Sequence, residues 1–169
     1  MFYFDSAKIK RLPNYLLILC LVVALATSCT NREEELIKLK ADAEKGRTTA
    51  QYSLARMYHK GNKIPKNYEK AMKWYQIVAN KGNYRAQYFV GNMYFRGHGV
   101  EKNYKEAKRI MERALKSDNV DGIHHEHYGD ILYRLGDVDE AVEQWSKAKG
   151  LNSASELIDK KIADRKLHE

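Results

Sequence analysis

From residue 33 onward, apolar positions recur at helical spacing. Tyr52, Ala55 and Met57-Tyr58 make one stripe, Ala71, Trp74-Tyr75 and Val78 a second, and Tyr88, Gly91 and Tyr94 a third. Intervals of three or four residues put such positions on one face of a helix. No segment alternates apolar and polar residues as a half-buried strand would. The pattern predicts helices over about 33–45, 49–60, 67–80, 83–96 and 103–116, two more within 121–151, and a last one over 153–167. Start and stop residues fit these limits. Gly46 reads as a C-cap, and Gly61 to Lys66 (with Pro65) and Gly97-His98-Gly99 read as equivalent loops. Asn67, Asn83 and Asn103 read as N-caps. Thr48 with Gln51, Asp137 with Glu140, and Ser153 with Glu156 have capping-box spacing. The last helix carries Leu157, Ile158 and Ile162 on one face and charges elsewhere.

The stripes belong to a longer echo. Lys45-Gly46, Ala50-Gln51-Tyr52, Met57-Tyr58 and Gly61 return 36 residues later as Lys81-Gly82, Ala86-Gln87-Tyr88, Met93-Tyr94 and Gly97. Asn67-Tyr68 returns as Asn103-Tyr104, Ala71 as Ala107, and Ile64 as Val100. A fixed period of this size signals stacked helical pairs. The small residues Ala50, Ala55, Ala71, Ala86, Gly91 and Ala107 permit close helix approach, with aromatics filling the gaps above them. The end of the first helix, Ala43-Glu44-Lys45-Gly46, matches Ala79-Asn80-Lys81-Gly82, so that helix is the second half of a truncated repeat.

Two motifs carry a family resemblance. Ala50-x-x-x-Leu54-Ala55-x-x-Tyr58-x-x-Gly61, and Ala86-x-x-x-Val90-Gly91-x-x-Tyr94-x-x-Gly97-x-Gly99-Val100 with Lys105-Glu106-Ala107, resemble Sel-one-like repeats, as does Ala71-Met72-Lys73-Trp74-Tyr75 with Ala79 and Gly82. Ala55 stands where glycine is usual, and Ile110-Met111 where Trp-Tyr is usual. A third unit, Asp121 to Leu151, resembles a tetratricopeptide repeat through Tyr128-Gly129, Leu132-Tyr133, Gly136, Ala141, Trp145 and Ala148. These resemblances imply an all-α fold: a short right-handed α-solenoid of antiparallel helix pairs, about seven helices, following a cleaved signal peptide. The expected divisions are Sel-one-like repeats over 36–118, a tetratricopeptide-like repeat over 119–152, and a C-terminal capping helix over 153–169.

The N-terminus reads as export machinery. Lys8, Lys10 and Arg11 form a positive region, and Leu16 to Ala26 is an uncharged, mostly apolar run. That run fits a signal-peptide core and is too short to cross a bilayer. Leu25-Ala26-Thr27-Ser28-Cys29 resembles a bacterial lipobox, although Leu is usual at Ala26. The resemblance implies cleavage after residue 28 and lipidation of Cys29, palmitate included. No cofactor is expected beyond that covalent lipid. The other cysteine, Cys20, would leave with the signal peptide, so the mature domain would hold no disulfide and depend on its core. Residues 29–35 form an acidic tether. It resembles the signal that marks surface lipoproteins in some Gram-negative lineages, and it also suits a solvated helix start.

Charge is uneven along the chain. Leu36 to Asp118 has 19 Lys/Arg against 7 Asp/Glu, a net +12, whereas Asn119 to Glu169 has 7 against 11, a net −4. A basic half suits anionic lipid, glycan phosphate or an acidic protein. Nucleic acid is not expected at an exported, membrane-tethered protein.

The search for chemistry returns little. HExxH, GxSxG and GxxxxGK[ST] are absent, and Gly97-His98-Gly99 lies in an interhelix turn with no strand before it. His124 and His127 share a helical face, but no Cys or paired His is spaced to complete a zinc site. A polar helix start with one histidine packed between helices accounts for them as well, and no metal is assigned. Some cysteine-rich proteins with these repeats have been described as β-lactamases or penicillin binders. A mature chain without cysteine resembles the repeat and not that activity, so no enzyme is expected.

In tetratricopeptide arrays the first helix of each pair lines the concave face. Superposition places Tyr52, Arg56 and Lys60 there from the first unit, Arg85, Tyr88, Asn92, Phe95 and Arg96 from the second, and Glu126, Asp130, Tyr133 and Arg134 from the third. Tyr and Arg are frequent interface anchors. The resemblance therefore implies a membrane-anchored adaptor or scaffold at the bacterial envelope, on the outer membrane with a periplasmic or surface face. Its partner would be a protein or peptide, an acidic segment among those that fit. A structural or assembly subunit of an outer-membrane complex is the alternative, and a hydrolase ranks last.

Overall fold

The structure, a computed structural model, describes residues 33–151 and 155–167 together with Ile18. The rest of the expected signal peptide, the lipobox, Cys29 and Ser153 lie outside the described residues. Eight helices and no strand occur among those described: α1 (33–44), α2 (Thr48–Lys60), α3 (Tyr68–Asn80), α4 (Tyr84–Arg96), α5 (Tyr104–Ala114), α6 (Gly122–Leu135), α7 (Val138–Gly150) and α8 (Ile158–Asp164). None is long and apolar enough to cross a membrane. Each packs chiefly on its sequence neighbours, making a short solenoid of antiparallel pairs. These eight correspond one for one to the helices that the apolar pattern predicts. Glu33, Glu34 and Glu35 are the exposed start of α1, where Glu35 accepts a 2.8 Å bond from Lys63 Nζ.

The repeated residues perform repeated bonds. The Asn67 side chain caps α3 by accepting from the Lys70 amide at 2.8 Å, and Asn103 caps α5 by accepting from the Glu106 amide at 3.0 Å. The same two asparagines donate their backbone N–H to the carbonyls of Tyr58 and Tyr94, each at 2.9 Å. Thr48 and Gln51 do not form the capping box that their spacing suggests. Arg47 holds the N-cap position with no side-chain cap, and Gln51 is buried. Its Nε2 donates instead to the Ala43 carbonyl at 3.0 Å, and Gln87 Nε2 does the same to Ala79 at 3.2 Å. A buried carbonyl needs a donor, and the glutamine supplies one across each junction between pairs.

The core is continuous along the array. Ala43, Ala50 and Leu54 begin it, Ala71, Tyr75, Val78, Ala86 and Val90 carry it through the middle, and Met111, Ile131, Leu132 and Trp145 fill the third unit. Ile110 and Met111, which replace the usual aromatics, are both buried. Two glycines are required by contact. Gly99 has φ +71°, and a Cβ there would lie 2.4 Å from the Tyr68 carbonyl carbon. A Cβ on Gly129 would lie 2.6 Å from the Trp145 indole, so α6 and α7 can meet only without it.

The third unit departs further from the sequence pattern. Asp137 with Glu140 forms no side-chain cap at α7, because Asp137 accepts from Lys108 Nζ at 3.1 Å. The capping box instead opens α6, where Asp121 and His124 exchange bonds. The last helix covers Ile158 to Asp164, shorter at both ends than expected. Ile158 is buried and Ile162 half-buried, but Leu157 is 42% exposed and does not share their packing.

Candidate partner-binding groove

Helices α2, α4 and α6, which the sequence assigns to one face, are neighbours through their aromatic side chains. Tyr52 of α2 meets Phe89 of α4 at 6.3 Å between ring centroids, and Tyr88 of α4 stacks on His127 of α6 at 5.4 Å. The Tyr88 hydroxyl and His127 Nδ1 share a hydrogen bond of 2.8 Å, with Asn92 Nδ2 3.3 Å from the same nitrogen. Tyr88 is thus largely committed to holding two repeats together, and burial pushes its hydroxyl up to about 12. Tyr52, also half-buried, packs edge-on against Tyr75 at 5.7 Å. Phe95 and Tyr133 are half-buried against the core of the third unit. Of the residues assigned to this face by sequence, Arg56, Lys60, Arg85, Arg96 and Arg134 are the exposed ones.

Glu126 and Asp130 are not open groove residues. Both are buried, and Lys161 of α8 enters between them, its Nζ 2.7 Å from Glu126 and 2.8 Å from Asp130. Ser155 adds a backbone N–H bond of 2.7 Å to Glu126, and Trp145 Nε1 donates to Asp130 at 2.9 Å. Burial raises the Asp130 carboxyl above its ordinary range despite these donors. Burial acts in the same direction on Glu126, but the bonds from Lys161 and Ser155 leave it below its ordinary range. The repeat pattern carried no sign of this cluster, because Lys161 lies in a helix with no counterpart among the repeats. The available signal was that Lys161, unlike its neighbour Lys160, falls at helical spacing beside Ile158 and Ile162.

Between this cluster and the end of α4 lies a cavity of about 530 Å³. Arg96, His98, Lys102 and Arg134 border it with the apolar side chains of Phe95, Tyr104, Leu157 and Leu167. That size falls within the range of ligand-binding clefts. Arg96 Nε donates to Asn92 Oδ1 at 3.1 Å, one of the five N–H donors of a guanidinium. His98 is fixed by stacking on Tyr68 at 4.3 Å between centroids. On the other side of Arg96 a smaller cavity of about 270 Å³ is lined by His59, Phe89 and Asn92. His59 Nδ1 is buried there without a hydrogen-bond partner among the described residues, and burial lowers the imidazole below its ordinary value.

The histidine run of α6 is dispersed among partners. His124 Nδ1 lies 2.6 Å from Asp121 Oδ1, His125 Nδ1 lies 2.9 Å from Gln144 Oε1, and His127 faces Tyr88. His124 and His127 do share a face, and both pack on Tyr88. Among the described residues no three His, Cys, Asp or Glu side chains converge as metal ligands would.

Residues 48–83 and 85–119 each match the model of the Sel1 repeat. A Sel1 repeat protein from Oxalobacter formigenes has a solved structure similar to this one at TM-score 0.58 and 30% identity, over 77% of this chain and 98% of that one. A protective antigen of uropathogenic Escherichia coli strains with an SLR fold is similar at TM-score 0.58 and 31% identity, over 66% of this chain. The chain spans 24% of the length of that antigen. No curated protein matches the sequence.

Proposed function

Because the chain belongs to the Sel1 repeat family, whose helical arrays typically serve as protein-interaction scaffolds, we propose that it is an adaptor at the bacterial envelope that receives a protein partner on its concave face. The observation that carries this reading is the 530 Å³ cavity beside Arg96. It combines apolar walls with cationic donors, the composition expected of an interface centre with its polar rim. No catalytic role is proposed.

Anchoring rests on the lipobox-like Leu25 to Cys29. One acyl chain binds a membrane only marginally, while two or three on Cys29 would hold the protein durably. The outer membrane, with a periplasmic or surface face, is the proposed location. The protective antigen among its relatives supports an exposed envelope setting for the fold. Palmitate labelling that disappears in Cys29→Ala is the expected result, and undiminished labelling would remove the anchor from the proposal.

In-cell crosslinking and pull-down test the groove, comparing wild type with Arg96→Glu/Lys102→Glu. Both residues are exposed, so the exchange tests binding and not folding. A partner captured by wild type and lost from the variant is expected. A second reading, an assembly subunit held by its end surface, is favoured by one feature. Ile37 is 67% exposed on α1, the helix whose Leu36 and Leu39 line a 380 Å³ cleft with Met57. Loss of the partner from Ile37→Glu, with the double variant unaffected, would establish that reading in place of the first.

A further inference from the structure

The uncommitted charges of the 530 Å³ cavity are cations, and they sit together. Arg96 uses Nε on Asn92 Oδ1 at 3.1 Å, which leaves the two terminal nitrogens of its guanidinium for a carboxylate. Lys102 is exposed and makes no hydrogen bond or ion pair among the described residues. The loop after α4 folds back on itself. A Cβ on Gly97 would lie 3.4 Å from Lys102 Cβ, which sets Lys102 beside the end of α4. Arg134 borders the cavity too, but it is engaged within the chain. The oxygens of Glu126 and Asp130 are taken by Lys161, Ser155 and Trp145. Lys60 belongs to a separate hollow with Ser53, Arg56 and Met57. One point of the face, and not a row along it, is therefore set to receive a negative group.

Beside that point is an apolar wall. Phe95 meets Tyr104 at 5.6 Å between ring centroids, and Leu157 and Leu167 line the cavity with them. Leu157 is 42% exposed and lies outside the packing of Ile158 and Ile162, so covering it removes apolar surface from water. A ligand that suits both features carries one anion and one apolar group close together. The end of a peptide chain does, because its α-carboxylate and its last side chain leave the same Cα. Capture of a chain end by its carboxylate is a general mode of peptide recognition. An internal acidic segment strings its charges along the chain and needs cations in series.

We propose that this cavity binds the C-terminus of a protein partner. The α-carboxylate sits on Arg96 and Lys102, and an apolar last side chain lies against Phe95, Tyr104 and Leu157. The proposal rests on the reading of this face as the partner surface and specifies what is recognised there.

The test uses the full-length chain, purified in detergent, and labelled glycine-serine hexapeptides read by fluorescence anisotropy. One peptide ends in leucine with a free C-terminus. A second is the same peptide with a C-terminal amide. A third has a free C-terminus after a final serine, and a fourth is the amide with an aspartate at an internal position. The first should bind at least about tenfold more tightly than its amide, the effect of a charge-assisted bond. It should also bind more tightly than the third. Arg96→Gln and Lys102→Gln should each shrink the preference for acid over amide, whereas Leu157→Ser should weaken acid and amide alike. The helical circular dichroism should be unchanged in all three variants. Equal binding of acid and amide by the unaltered chain, or no binding of either, would overturn the proposal. An internal aspartate that restores full affinity to the amide would also overturn it, in favour of an acidic-segment site. So would inorganic phosphate displacing the acid as effectively as unlabelled peptide, in favour of a plain anion site. If the cellular partner is still lost from Arg96→Glu/Lys102→Glu while acid and amide bind alike, the chain-end proposal fails and the adaptor reading stands.

Discussion

The first two repeats and the third unit solve the same packing problem by different means. Between the early repeats, each junction is closed by a buried glutamine donating to a carbonyl of the preceding helix pair, and each second helix is capped by an asparagine. These bonds recur 36 residues apart, and at the first junction Lys81 Nζ also donates to Gln51 Oε1 at 2.9 Å. The third unit is held by a buried charge cluster that ties α6 to α8 across 31 and 35 residues. A neutral bond between modules survives copying of a module. A buried ion pair needs its particular partner, and removing one member leaves the other exposed to the full cost of desolvation.

The sharpest way to break this contrast is Lys161→Ala. Two buried carboxylates lose their cation, and the expected destabilisation is about 3–5 kcal/mol. It should appear as early melting of the third unit in native-state hydrogen exchange. Combining it with Glu126→Gln and Asp130→Asn should recover part of that loss. No recovery would show that the lysine acts through packing alone.

Acid should separate the two regions next. Burial lowers the His127 imidazole to about 4, from an ordinary value near 6.5. The folded chain therefore keeps it neutral at a pH where the unfolded chain protonates it. Its contribution is complete above about pH 6.5 and is lost as the pH falls toward 4, amounting to about 3 kcal/mol. His127→Gln should flatten the stability profile in that window, measured by urea titration at several pH values.

Smaller effects probe the junctions. Gln87→Leu removes the side-chain donor to the Ala79 carbonyl, which keeps the Gly82 N–H, and should cost about 0.5–1.5 kcal/mol. Gln51→Leu should cost a similar amount if the junctions are equivalent. Asn67→Ala and Asn103→Ala should each cost about 1 kcal/mol through lost caps. Matching values within each pair, from thermal unfolding, would sharpen the picture of interchangeable modules, and a twofold disparity would break it.

Most of the helix order was legible in the sequence, because the echo fixes both spacing and small-residue contacts. The errors are instructive. Thr48-x-x-Gln51 has capping-box spacing, yet the buried Gln51 adds a second donor to the Ala43 carbonyl, beside the Gly46 N–H, instead of capping. Asp137 is similar, since Lys108 on the neighbouring helix competes for it. Arg96 and Arg134 line one cavity, but Tyr88 could not be assigned by position alone. Whether it faces a partner or the next helix depends on His127, which belongs to the following unit. The link from Lys161 to Glu126 was illegible for a deeper reason: it joins a repeat to a helix outside the repeating pattern.

The glutamine junction has an evolutionary corollary. A duplicated 36-residue block inserted between Gly82 and Asn83 would offer its predecessor the glutamine it expects and its successor the carbonyl it expects. The array can therefore lengthen by internal copying without inventing a new joint, while the α8 end, keyed by one lysine, is inherited intact.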